Sequence, residues 1–202
     1  MQNLPRKLAL IFLMMGTLAT PAIAQTSLNV PPATYNIDPK HTQIIFSIRH
    51  MGLSTFYGRF GQISGSLTFD PATPEKSALT VQIDMKSLSM HVPKLDEELM
   101  ADVFHADKFP TATFVATQST KTGANTGTVT GNLTIAGVTK PVTLKVTFNG
   151  GRNSPFPLQP YRVGFDATAT VKRSDFGLTK MMWSGLVGDD VALMIQCELE
   201  KK

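Results

Sequence analysis

The sequence predicts an all-β fold, an antiparallel barrel of roughly eight strands with one or two short helices. Three observations predict it. Segment after segment alternates apolar and polar residues with a period of two, the mark of a strand with one dry and one wet face. Turn-forming residues separate these segments at short intervals, which favours antiparallel neighbours, because parallel ones need long crossovers. A single long stretch breaks the period and reads as helix.

Residues 1–24 precede the domain. Arg6-Lys7 lead into the apolar run Leu8 to Leu18, and Ala22-Ile23-Ala24 sets small residues where a signal peptidase reads. This pattern predicts a secretory signal cleaved before Gln25. The run falls well short of the roughly 20 apolar residues of a spanning helix. Residues 25–33, with Pro31-Pro32, read as an extended lead-in to one domain over residues 34–202.

Ile44 to Arg49 is the first long strand. Dry faces follow at Ile63, Gly65, Leu67, Phe69 and at Leu79, Val81, Ile83, Met85. From Pro93 to Phe104 the period changes: Leu95, Leu99 and Val103 fall at i, i+4 and i+8. Proline in the first turn and the acids Asp96, Glu97 and Glu98 near the positive helix end mark a helix start. Ala112 to Gln118 returns to strand, followed by Val129, Gly131, Leu133, Ile135 and, after a Gly137 to Pro141 hairpin, Val142, Leu144, Val146, Phe148. Asn149-Gly150-Gly151 and Pro155, Pro157 and Pro160 break the chain before Tyr161 to Val171. A second short turn is expected near Arg173 to Phe176, and Val191 to Glu200 is the last strand.

Removal of residues 1–24 leaves 178 residues, enough for one sizeable core. It also removes Arg6 and Lys7, so the formal charge falls from +4 to +2. That balance, with no basic cluster among aromatics, argues against nucleic acid as a partner; transient contact with an anionic membrane stays compatible. The lone Cys197 allows no internal disulfide and shares its phase with Leu193, Ile195 and Leu199, so it reads as a small buried apolar residue. One Trp and three Tyr cannot make the two aromatic girdles of an outer-membrane barrel, so a soluble barrel is expected.

No G-x-S-x-G, phosphate-cradling or H-E-x-x-H pattern occurs. His41, His50, His91 and His105 lack metal-ligand spacing, and the carboxylates read as solvated or capping groups. Neither a catalytic nor a metal site is therefore expected. All dry faces point to one interior, which at this strand number either fills with side chains or encloses one small ligand. The patterning leaves both readings open. Gly65 and Gly131 on the dry faces are expected to mark interior space. The candidate apolar lining is Phe46, Ile48, Ile63, Leu67, Val81, Ile83, Phe114, Leu133, Ile135, Leu144, Val146, Phe165, Leu193 and Ile195, with Phe104, Phe176 and Trp183 closing an end.

Five segments, in order, carry a resemblance: Tyr35 to Asp38 with His41 to Gly52; Gly58-Arg59-Phe60 leading to Gly65 to Asp70; Lys94 to Leu99 through Phe109 to Phe114; Gly131 to Val142; and Lys172 to Leu178. Together they resemble the YceI-like family of polyisoprenoid-binding proteins. The resemblance implies a lipocalin-like barrel, usually periplasmic, whose elongated interior takes a long isoprenoid chain as ligand, with no cofactor and no catalytic residue. It makes a quinone-related lipid one candidate. Glu98 stands where many relatives carry histidine. Two other functions stay open: a filled-core secreted stress or interaction protein, and a lipid-modifying enzyme acting through His50 or His91. The sequence does not separate monomer from homodimer.

Overall fold

The computed structural model describes residues 30–179 and 184–202. Residues 1–24, most of the lead-in and Trp183 lie outside them. The strands are β1 (Ala33–Ile37), β2 (Gln43–His50), β3 (Ser54–Phe60), β4 (Ile63–Phe69), β5 (Ala78–Asp84), β6 (Leu88–Ser89), β7 (Thr111–Lys121), β8 (Thr126–Ile135), β9 (Val138–Arg152), β10 (Arg162–Lys172) and β11 (Val187–Lys201). Helix α1 (Pro93–Glu98) lies between β6 and β7. Among the described residues, no helix is long and apolar enough to cross a membrane.

Among the described residues, eleven strands form eight staves. The hydrogen-bonded ring runs β1-β4-β5-β7-β8-β9-β10-β11 and closes from β11 back to β1. The other three strands lengthen staves that the ring already contains. Both β1 and β2 pair with β11, β1 at Leu199 to Lys201 and β2 from Val187 to Gln196. Likewise β3 continues β4 against β2, and β6 continues β5 against β3. The expected count of about eight long antiparallel strands thus corresponds to the eight staves of a closed barrel.

Three neighbouring staves are creased, and local hydrogen bonding shows why. In the first, Asp38 turns the chain by accepting the Lys40 N–H at 2.9 Å. In the third, Asp84 accepts the Lys86 N–H at 2.9 Å and caps the 3-10 turn Met85–Ser87. The Gly61 N–H of the middle stave donates to Ser87 Oγ at 3.2 Å, tying two creases together. Short polar side chains that bond nearby backbone compete with the ladder in this way.

Connections alternate between two ends. One end carries the β4–β5 turn (70–77), the β7–β8 hairpin (122–125), the β9–β10 loop (153–161) and the C-terminus. The other carries the β2–β3 turn (51–53), the long β6–β7 connection with α1 (90–110), the β8–β9 turn at Ala136-Gly137 and the β10–β11 connection (173–186).

The expected helix is shorter and ends differently. After Glu98 the chain widens into a π turn, Leu99–Val103, closed by Phe104 N–H donating to Leu99 O at 2.9 Å. The wide turn lets Met100 and Phe104 pack on the buried Met85, Ala106 and Ala112, so the segment caps the barrel. The turn at Arg173–Phe176 is present as 3-10 helix. Gly65 and Gly131 do not mark empty space. A Cβ on Gly65, whose φ is +146°, would lie 2.1 Å from Thr80 O, and one on Gly131 would lie 2.5 Å from Phe114 Cζ. They mark close approach by a neighbouring strand and a ring.

Candidate ligand cavity

The dry faces of the staves enclose a cavity of about 390 Å³. Known small-molecule sites span roughly 300–1,000 Å³. Ile63, Leu67, Val81, Ile83, Phe114, Leu133, Ile135, Leu144, Val146, Phe165, Leu193 and Ile195 all line it, and Phe104 stands at its floor. Phe60, Met85 and Ala112 complete that floor beneath the capping segment.

Three other expected residues do not line the cavity. Phe46 lies against Gly58 beside Met90, its ring 5.6 Å from that of Phe60, so it packs around the floor and not above it. Ile48 is two residues further along β2, on the same face and deeper. Phe176 is buried in a cluster with Phe114 and Leu144, behind the lining. Trp183 falls outside the described residues. Alternation identifies the face on which a side chain sits, but it carries no depth along the barrel.

The list of candidates from sequence also missed lining residues. Phe69, Leu79, Phe148, Val142 and Leu199 share the dry phase of their strands, so the same signal contained them. Phe69 on β4 meets Phe148 on β9 and Phe165 on β10, with ring centroids 5.4, 5.4 and 5.0 Å apart within the trio. These strands are not neighbours of β4, so the rings span the interior and close one side of its upper end. On the opposite side the cavity reaches solvent between Pro71, Pro74 and Ser77 of the β4–β5 turn and Thr120, Lys121, Asn125 and Thr126 of the β7–β8 hairpin. Hairpin polarity gave no sequence signal for this mouth.

Polarity is confined almost wholly to that rim. In the interior the wall offers Thr42 and Cys197, and both are engaged: Thr42 Oγ1 donates to Glu198 O at 3.2 Å and lies 3.6 Å from Cys197 Sγ. Burial pushes the Cys197 thiol up to about 11, against a weaker opposing pull from the Thr42 hydroxyl. The thiol is therefore neutral and part of the apolar wall.

The group of charges around Asp38 is structural. At the first crease, buried Asp38 Oδ2 accepts from His41 Nδ1 at 2.6 Å and from an Arg162 guanidinium N–H at 2.6 Å. Arg162 also reaches Glu198 at 3.3 Å and pairs with Glu200. Burial alone would raise the Asp38 carboxyl, but the His41, Lys40 N–H and Arg162 hydrogen bonds outweigh it and hold it at about 2. Asp38, His41 and Glu198 are ligand types for a cation, yet the guanidinium already supplies the positive charge between them. No histidine, aspartate or glutamate is among the described lining residues, and His50, His91 and Glu98 all stand apart from them.

Residues 35–199 match the family model described as a YceI-like domain. A UPF0312 protein of Pseudomonas paraeruginosa is 39% identical over 169 residues, covering 82% of this chain and 86% of that protein. The crystal structure of BcnA from Burkholderia cenocepacia superposes with a TM-score of 0.71 at 26% identity, covering 80% of this chain and 98% of that one. A polyisoprenoid binding domain from Saccharophagus degradans shares the fold at 13% identity, with a TM-score of 0.66 and coverage of 84% and 99%.

Proposed function

Since the chain belongs to the YceI-like family, we propose that it is an exported, periplasmic carrier that holds an isoprenoid-type lipid with the tail in the barrel and the head at the mouth. The observation that carries this reading is the distribution of polarity: an apolar wall whose polar side chains, among the described lining residues, gather mainly at the mouth. Such a wall solvates a hydrocarbon tail and offers no partner to a polar head, so an amphiphile enters tail first. The cavity also argues against a filled-core interaction protein. The absence of histidine, aspartate and glutamate from the described lining residues supports binding over catalysis.

Energetics favour carriage over permanent storage. Burial of a tail from water is worth about 0.8 kcal/mol per methylene. In a bilayer, however, the tail is already dry, so the net drive from membrane to barrel is small and transfer is reversible. The Saccharophagus degradans neighbour is described as a polyisoprenoid binding domain, which is consistent with such a ligand; a quinone-type lipid supplies the candidate head group of this proposal.

Mass spectrometry of an organic extract from freshly purified processed protein tests the proposal. A prenyl lipid present in stoichiometric amount is expected. A clean blank from protein purified out of a lipid-rich source overturns it.

A further inference from the structure

The mouth end carries one feature that the cavity does not use. In the β9–β10 loop, Phe156 is 65% exposed and Leu158 fully exposed, an arrangement that sacrifices apolar burial. The loop is braced and not slack. Pro155, Pro157 and Pro160 restrict its backbone. Ser154 Oγ accepts the Phe156 N–H at 3.2 Å and bonds Gln159 Oε1 at 2.7 Å. Leu158 holds a left-handed φ of +64°, which a leucine adopts at a cost. The result is two bulky apolar side chains presented at a fixed tip.

The tip has basic surroundings. Arg152 at its base is exposed, and so are Lys201 and Lys202, held there by Lys201 N–H to Tyr161 O at 2.8 Å and Lys202 N–H to Thr34 O at 2.9 Å. Lys121 stands on the mouth itself. Of the acids at this end, Glu200 is paired with Arg162, Glu75 in the β4–β5 turn stands beside Lys76, and Asp70 of that turn accepts from the Ala72 N–H and the Thr73 hydroxyl. The strand that carries the loop is tied to the rim: Phe148 of β9 donates its N–H to Asn125 O of the β7–β8 hairpin at 2.7 Å, so loop and mouth share one end of the barrel.

From these contacts we infer that the β9–β10 loop is a membrane-docking lip, whose Phe156 and Leu158 enter the interface of an anionic bilayer and set the cavity mouth against it. Apolar side chains on a small tip insert a few ångströms below the headgroups, and each nearby Lys or Arg adds attraction to an anionic surface. This explains the strained leucine and the basic foot together. It extends the carrier reading by naming where cargo enters and leaves, but it is measured independently of cargo.

The test is co-sedimentation of the processed protein with vesicles of phosphatidylcholine alone and of phosphatidylcholine mixed with phosphatidylglycerol. The wild-type protein is expected to sediment with the mixed vesicles and less with the neutral ones. Phe156→Ser with Leu158→Ser should weaken that binding by about tenfold or more. Leu53→Ser, on a tip 81% exposed at the opposite end, should leave it unchanged. Wild-type protein that stays in the supernatant with both vesicles overturns the inference. So does equal binding by the double variant, or a loss on Leu53→Ser that matches it. Lipid content of the double variant, measured on the same preparation, separates this result from the carrier reading: a variant that keeps its lipid but loses the vesicles has lost docking alone.

Discussion

At the residue scale, Asp38 shows most plainly what sequence conceals. Its nearest partner His41 is three residues away, but Arg162, which fixes its charge, is 124 residues distant. No local pattern joins the two, so nothing in the sequence marks the carboxylate as the centre of a charge network. Cys197 was legible, because its place in the phase of Leu193 and Leu199 already predicted a buried thiol. The Asp38 geometry makes stability depend on pH with a definite sign. Folding lowers its pKa from 3.8 to about 2, so its contribution is complete above pH 4 and is lost as pH falls from about 4 to 2. That contribution is about 2 kcal/mol for so well buried a carboxylate. Urea midpoints measured across this window should fall with acid in the wild type. In Asp38→Asn the variant should start lower and stay much flatter, and a parallel fall in both proteins would assign the acid sensitivity elsewhere.

At the scale of elements, the dry faces were legible because alternation is a local property. Depth was not. Phe46 and Ile48 share a face with Ile44, yet only Ile44 lines the cavity, since the floor of Phe60, Met85 and Phe104 is assembled from three separate segments. The π turn after α1 was hidden for a related reason: an i, i+4 stripe looks the same whether or not the last turn widens to reach a floor. The position of Ile135 turns this into a prediction. It lines the cavity and packs on the floor cluster, so a larger side chain there shortens the closed end without touching the mouth. Ile135→Trp should retain the fold and shift bound or competing prenyl chains towards shorter ones. Unchanged chain-length preference in a folded Ile135→Trp protein would place the tail elsewhere.

At the scale of the molecule, the sequence predicted a closed antiparallel barrel but not how it closes, because the pairing of β1 with β11 joins residues such as Tyr35 and Lys201 from opposite ends of the chain. If the cavity holds lipid in the native state alone, occupancy stabilises the whole barrel. Saturation a thousandfold above the dissociation constant is worth about 4 kcal/mol. Protein stripped of lipid should therefore melt several degrees lower, and recover when lipid is restored; identical melting curves would show that the extracted lipid was not an occupant. The closing pair also imposes an order in time. A chain made N-terminus first presents seven staves before the eighth. Until Val187 to Lys201 arrives, the curved sheet has two raw edges and its apolar concave face stands open to water. Contacts between such distant residues form late and slowly. For this barrel the final fifteen-residue strand is a latch, and the interval before it engages is when the nascent molecule is most exposed to aggregation and to chaperones.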